Sequence, residues 1–150
     1  MLYKGNTKRK RELISGMPTN FERWFPAYTL PESVSIKSIV DTPSGLQVVL
    51  FDENSPSQGF ELFFSFFYGY RNFNESERLM TFRKSSELMV KWSFFIANDS
   101  EFIEWFCKES DGVVDKTVVT HYVITTPDDL FEVLAPEPPS IKAMKLTPHG

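Results

Sequence analysis

Few residues in this 150-residue chain could carry chemistry, and they are soon weighed. Cys107 and His121 are the only pair that could form a thiol nucleophile with its base. Cys107 falls on the apolar stripe of a helical segment, where a free cysteine behaves as a small apolar residue. His121 falls mid-strand, on the face of Val119 and Val123. Both are therefore expected to be structural. One cysteine and two histidines (the second being His149) lack the close spacing of a metal site. The 7 glycines are scattered and form no phosphate-cradling loop. An enzyme is not expected, and neither a cofactor nor a metal is implied.

The remaining chemical feature is charge. Residues 98–137 hold ten acids against Lys108 and Lys116, a net of −8 in a chain of net −4. Residues 1–20 hold Lys4, Lys8, Arg9, Lys10 and Arg11 against Glu12, a net of +4. An acidic body repels nucleic-acid phosphates and suits a basic protein partner. The candidate partner-binding set is Glu104, Glu109, Asp111, Asp115, Asp128, Asp129 and Glu132. Asp99, Glu101, Asp128 and Asp129 also have a structural account, because acids in the first turn of a helix oppose its dipole. A solvated acidic face is the alternative for the others.

The elements that must position these residues follow from periodicity. The chain reads as one α+β domain: a mostly antiparallel sheet of about four to six strands with two or three helices. Residues 1–20 read as a basic flexible arm, 21–138 as the domain and 139–150 as a loose tail. NFERWFPAYTLP reads as a short helical turn and then an extended segment. SVSIKSIV (33–40) and LQVVLFDE (46–53) read as a hairpin turning at DTPSG. FELFFSFFYGYRNF (60–73) is apolar on both faces, as in a central strand. Residues 72–91 are ambiguous between helix and strand, with Asn74 and Glu77 spaced as a helix cap. KWSFFIA (91–97) and TVVTHYVIT (117–125) read as strands. Helices are expected at 98–110, capped at Asn98, and at 127–134, capped at Thr126 with Pro127 in the first position. Gly112 would end the first of them.

No apolar run reaches signal-peptide or membrane-spanning length. With a single cysteine, this leads to the expectation of a cytoplasmic protein. The run FFSFFYGYRNF invites comparison with an RNA-stacking strand. Its spacing differs from that motif, however, and only Arg71 is basic between 60 and 74.

EFIEWFCKESDG followed by VVTHYVITTPDDLFEVL, with the upstream YRNFNESERL, resembles a group of small bacterial immunity-type proteins. These are encoded beside polymorphic toxins of contact-dependent growth inhibition and Rhs systems. The likeness lies between Tyr70 and Leu134, with a gap, and excludes the basic arm. It implies a cytoplasmic inhibitor that blocks one cognate toxin domain, many of which are basic nucleases. Arg71, Asn72 and Glu75 match the YRN-x-x-E element of that group, as partner contacts or as turn formers. The leading expectation is therefore an immunity protein that neutralises a basic toxin through an acidic surface. The runner-up is a nucleic-acid-associated protein that uses the basic arm and an aromatic sheet, and an enzyme built on unrecognised carboxylates comes third.

Overall fold

A computed structural model describes residues 18–27 and 29–147. The basic arm expected at 1–20 lies almost wholly outside the described residues. Among the described residues the architecture is α+β, built from nine strands in two antiparallel sheets. β1 (Asn20–Arg23), β6 (Phe94–Asn98), β7 (Thr120–Thr125), β8 (Asp129–Ala135) and β5 (Gly69–Asn74) lie side by side in that order. β2 (Val34–Thr42), β3 (Gly45–Asp52), β4 (Ser55–Phe64) and β9 (Ser140–Lys145) form the second sheet. Two helices, α1 (Leu79–Lys84) and α2 (Glu101–Glu109), complete the fold.

The sheets pack face to face. Leu46, Val48 and Leu50 of β3 and Phe60, Leu62 and Phe64 of β4 meet Phe94, Ile124, Phe131 and Val133 of the five-stranded sheet. The helices cover that sheet's other face through two smaller apolar groups. One contains Phe21, Leu88, Phe95 and Val123, with Phe82 of α1 packed on it. The other joins Phe102 of α2 to Val119 and Leu134. The five-stranded sheet is therefore the middle of three layers, and adjacent residues such as Phe94 and Phe95 are both fully buried.

This layering explains the differences from the sequence reading. The strand count is nine rather than four to six, because the apolar segments divide between two sheets. The helix expected at 127–134 is strand β8. A strand buried on both faces loses the polar alternation that marks strands, and a short apolar run such as LFEVL then has no distinguishing period. Thr126 nonetheless acts as a local cap: its Oγ1 accepts from the N–H groups of Asp128 and Asp129, closing the β7–β8 turn. FELFFSFFYGYRNF is not one strand. β4 ends at Phe64, and the chain crosses to the other sheet, where the Tyr68 N–H donates to the Leu134 carbonyl before β5 begins.

Ser140–Lys145, expected as loose tail, pairs with β4, and Ile141 packs against the core. Asn20–Arg23, expected as a helical turn, pairs with β6. The 72–91 segment contains α1 between two 3-10 turns, and Asn74 caps the first turn by accepting from the Ser76 N–H. Asn98 ends β6 rather than capping α2. The cap is Ser100, whose Oγ accepts from the Ile103 N–H. The hairpin at DTPSG is as expected. Gly45 there has φ +147°, and a Cβ would lie 2.4 Å from the Phe64 carbonyl oxygen. The turn therefore requires glycine.

Candidate functional site

The helix-facing side of the five-stranded sheet carries a buried charge cluster. Glu132 interrupts the apolar run of β8 and is fully buried. Arg71 lies opposite it in β5. Val123 of β7 lies opposite on the other side, which makes His121 its diagonal neighbour on the same face. Arg71 Nε donates to Glu132 Oε2 at 2.5 Å. Arg78, at the start of α1, brings Nη2 within 2.8 Å of Glu132 Oε1. His121 Nε2 lies 3.3 Å from Oε2 without meeting hydrogen-bond geometry. His121 Nδ1 meets the Ser100 hydroxyl at 2.7 Å. Aromatic rings complete the enclosure. The Arg71 guanidinium lies 4.0 Å from the Phe102 ring centre, and that ring meets His121 edge-on.

The electrostatics follow from burial. Burial alone would raise the Glu132 carboxyl, but His121 and Arg71 overcome it and hold it at about 2. Burial lowers His121 below its ordinary 6.5 despite the neighbouring carboxylate. At neutral pH the cluster therefore holds a carboxylate, two guanidiniums and a neutral imidazole. Nε2 faces the Glu132 carboxylate, which favours the imidazole proton on that nitrogen and leaves Nδ1 to accept from the Ser100 hydroxyl.

Hydroxyl, imidazole and carboxylate here stand in the order of a hydrolytic triad. The Ser100 hydroxyl, however, is buried and is committed as the cap of α2. The contacts tie β5, β7, β8, α1 and α2 together.

Between β5 and α2 runs an open groove of about 600 Å³, lined by Tyr70, Phe73, Phe102, Trp105 and Phe106. Trp105 is 56% exposed and Phe73 45%. β5 is the outer strand of its sheet, with its second edge unpaired among the described residues. Exposed aromatics beside an open strand edge are what protein recognition uses, and what a protein otherwise avoids displaying.

The seven sequence-selected acids separate into three groups. Glu104 and Glu109 on α2, and Asp111 and Asp115 just beyond it, are exposed. Glu109 follows Trp105 by one helical turn, on the flank that borders the groove, whereas Glu104 lies on the other flank beside Lys116. The Asp115 carboxyl is held below its ordinary value by the backbone and hydroxyl of Thr117, so it too has a local structural task. Asp128 and Asp129 occupy the β7–β8 turn, a strand length or roughly 17 Å away. They do not stand at the start of a helix, and burial with the charge of Asp128 raises Asp129. Glu132 is a correction: it is an internal counter-ion and cannot touch a partner. Its position could have signalled this, since a lone acid within LFEVL must be paired if the run is buried.

Among the described residues, every ion pair converges on Glu132; of the exposed acids, Glu104 shares a pocket with Lys116, and Asp115 feels the charge of that lysine. Of the YRN-x-x-E residues, Arg71 belongs to the cluster, Asn72 is exposed on β5, and the Glu75 N–H bonds the Asp128 carbonyl. Cys107 is half-buried on α2. No group of three potential ligands that could hold a metal ion occurs among the described residues, and none of their helices is long and apolar enough to cross a membrane. In comparisons with protein-family models, curated proteins and solved structures, nothing matches this chain.

Proposed function

We propose that this protein is an immunity-type inhibitor that binds and neutralises a basic toxin domain, with a nuclease as the toxin class that best fits an acidic partner. The observation that carries this reading is the groove between β5 and α2. It exposes Trp105 and Phe73 beside an unpaired strand edge, and Glu109 and Asp111 follow on the same helix and its exit. Large aromatic anchors supply affinity at the centre of an interface, and surrounding charge supplies steering and selectivity. The likeness of YRNFNESERL and EFIEWFCKESDG to the immunity group supports the same assignment, because both segments border this groove.

The acidic surface in this reading is narrower than composition suggests. It comprises Glu104, Glu109, Asp111 and Asp115 around α2, without Glu132 and apart from Asp128 and Asp129. The test is co-expression with the product of the adjacent gene, followed by co-purification and association kinetics. Trp105→Ala should raise the dissociation rate by at least ~10-fold, as a central aromatic anchor does. Reversing the four acids to lysine should instead slow association and flatten its salt dependence. Failure to co-purify, or kinetics unchanged in both variants, would refute the assignment.

A further inference from the structure

Among the described residues, β1 and β5 stand at the edges of one sheet and β2 and β9 at the edges of the other. An open edge offers unpaired N–H and C=O groups to any extended chain, and folds usually block it with short length, a bulge or lysines. β1 has only four residues. β2 carries a register shift between Ile36 and Ser38, with the exposed Lys37 inside it. β9 displays Lys142 and Lys145. β5 has none of these devices. Its sequence GYRNFN contains neither lysine nor proline, its register with β8 is unbroken, and its one charge, Arg71, is turned inward onto Glu132.

Hydrogen bonding fixes which backbone groups of β5 are open. The Glu75 N–H donates to the Asp128 carbonyl, and on the far side of β8 the Thr126 N–H donates to the Asp129 carbonyl. Antiparallel alternation from both points gives the N–H and C=O groups of Gly69, Arg71 and Phe73 to β8 and turns those of Tyr70 and Asn72 outward. α2 runs antiparallel to β5, because Phe102 meets Arg71 and Phe106 meets Tyr68. The exposed Glu109 and Asp111 therefore stand toward the Gly69 end of β5, and the exposed Glu75 and Glu77 follow its Asn74 end. Between these acids lie Phe73 and Trp105, both exposed. Pairing of β5 with its counterpart in a second copy would run antiparallel and would bring the acids of one end against those of the other, which disfavours self-association.

We propose that the toxin binds by laying an extended segment along β5, adding a strand to the five-stranded sheet. The occupant is apolar or aromatic at its centre, to meet Phe73 and Trp105, and carries lysine or arginine toward both ends, to meet the four acids. At about 3.3 Å per residue, the 6 residues of β5 offer it about 20 Å of edge. Bonds to the backbone of Tyr70 and Asn72 supply affinity for an extended chain, and its alternate side chains supply selectivity. The identity of the partner rests on the inhibitor reading, whereas the manner of binding rests on the open edge of β5.

The experiment is Asn72→Pro in the full chain, assayed against the co-expressed product of the adjacent gene. Proline removes the outward N–H and puts its ring where the incoming strand must lie. It leaves the bonds of Arg71 and Phe73 to β8 intact, and such a position on an edge strand accepts proline. Dissociation should be at least ~10-fold faster than in Asn72→Ala, which keeps the N–H. Equal dissociation in the two variants, with Trp105→Ala still weakened, would overturn strand addition and leave the inhibitor reading standing. No capture by the wild type would remove both. Amide exchange in the wild type is a second measurement that needs no proline variant: the Tyr70 and Asn72 amides should exchange fast in the free chain and at least ~10-fold more slowly in the complex. Exchange unaltered by complex formation would overturn the proposal. Protection of both amides in the free monomer would assign the edge to the chain's own basic N-terminal residues, and a free dimer broken by Asn72→Pro would assign it to a second copy; either result overturns the proposal.

Discussion

Replacing Glu132 with glutamine keeps the shape of the side chain and removes its charge, so it isolates what the buried carboxylate contributes. Two guanidiniums and an imidazole face that carboxylate, and Arg78 cannot swing freely into water because its side chain is only 15% exposed. At about 1.4 kcal/mol per tenfold change in proton affinity, a carboxyl held at about 2 instead of 4.5 contributes about 3 kcal/mol. Breaking a buried pair from one side costs about 3–5 kcal/mol in general, and the two figures agree. Whole domains are stable by only about 5–15 kcal/mol, so Glu132→Gln should fold but lose a large share of its margin. In urea, with a slope of about 2 kcal/mol per molar, the midpoint should fall by about 1.5–2.5 M.

Glu104→Gln is the control, an exposed change expected to stay within about 0.5 kcal/mol. Glu132→Leu combined with Arg78→Met should recover much of the loss, because a well-packed apolar substitute removes the desolvation cost along with the charge. Arg71, 36% exposed, can then turn its guanidinium to solvent. A midpoint shift below about 0.5 M for Glu132→Gln would refute the account of Glu132 as a clamp.

Further outcomes follow from particular contacts. Acid should destabilise the protein in two stages. Below pH 6.5 the unfolded chain gains a proton at His121 that the folded chain, with its lowered value, does not accept, so stability falls as pH drops. The Glu132 contribution is complete above 4.5 and is lost as pH falls toward about 2. Urea midpoints against pH should show both stages, and Glu132→Gln should lack the second. Ser100→Ala removes the cap of α2 and the hydrogen bond to His121; calorimetric melting should report a loss of about 1–3 kcal/mol. Gly45→Ala should cost more than about 2 kcal/mol, because its Cβ would collide with the Phe64 carbonyl at positive φ. Gly69→Ala, where a Cβ meets nothing within 4 Å, should be nearly silent in the same melt. Trp105→Ala should leave melting almost unchanged while weakening partner capture, since the ring is mostly in solvent.

The sequence and the structure agree where a local pattern stayed in command. The β2–β3 hairpin was legible because DTPSG is turn chemistry between alternating runs. α2 was legible because Phe102, Ile103, Phe106 and Cys107 repeat at helical spacing. Both patterns are written by one element facing one core. β8 was not legible, because it faces two cores at once and its alternation disappears. β9 was missed because SIKAMK, exposed at most positions, becomes a strand only when the free edge of β4 is there to pair with it.

The candidate sites divide in the same way. Composition located the acid-rich region, and the exposed acids of α2 and its exit are where it placed them. Composition could not separate an acid that faces water from one that faces arginine: Glu132 has the same charge as Glu104 and the opposite task. That distinction arises when β5 and β8 align Arg71 with Glu132 and α1 folds Arg78 over both. The aromatic groove arises in the same step. By itself the sequence determined an acidic α+β chain with a hairpin, an amphipathic helix and a concentrated charge. Only the tertiary structure decided which of those charges meet water, because burial and pairing belong to neighbours that are distant along the chain.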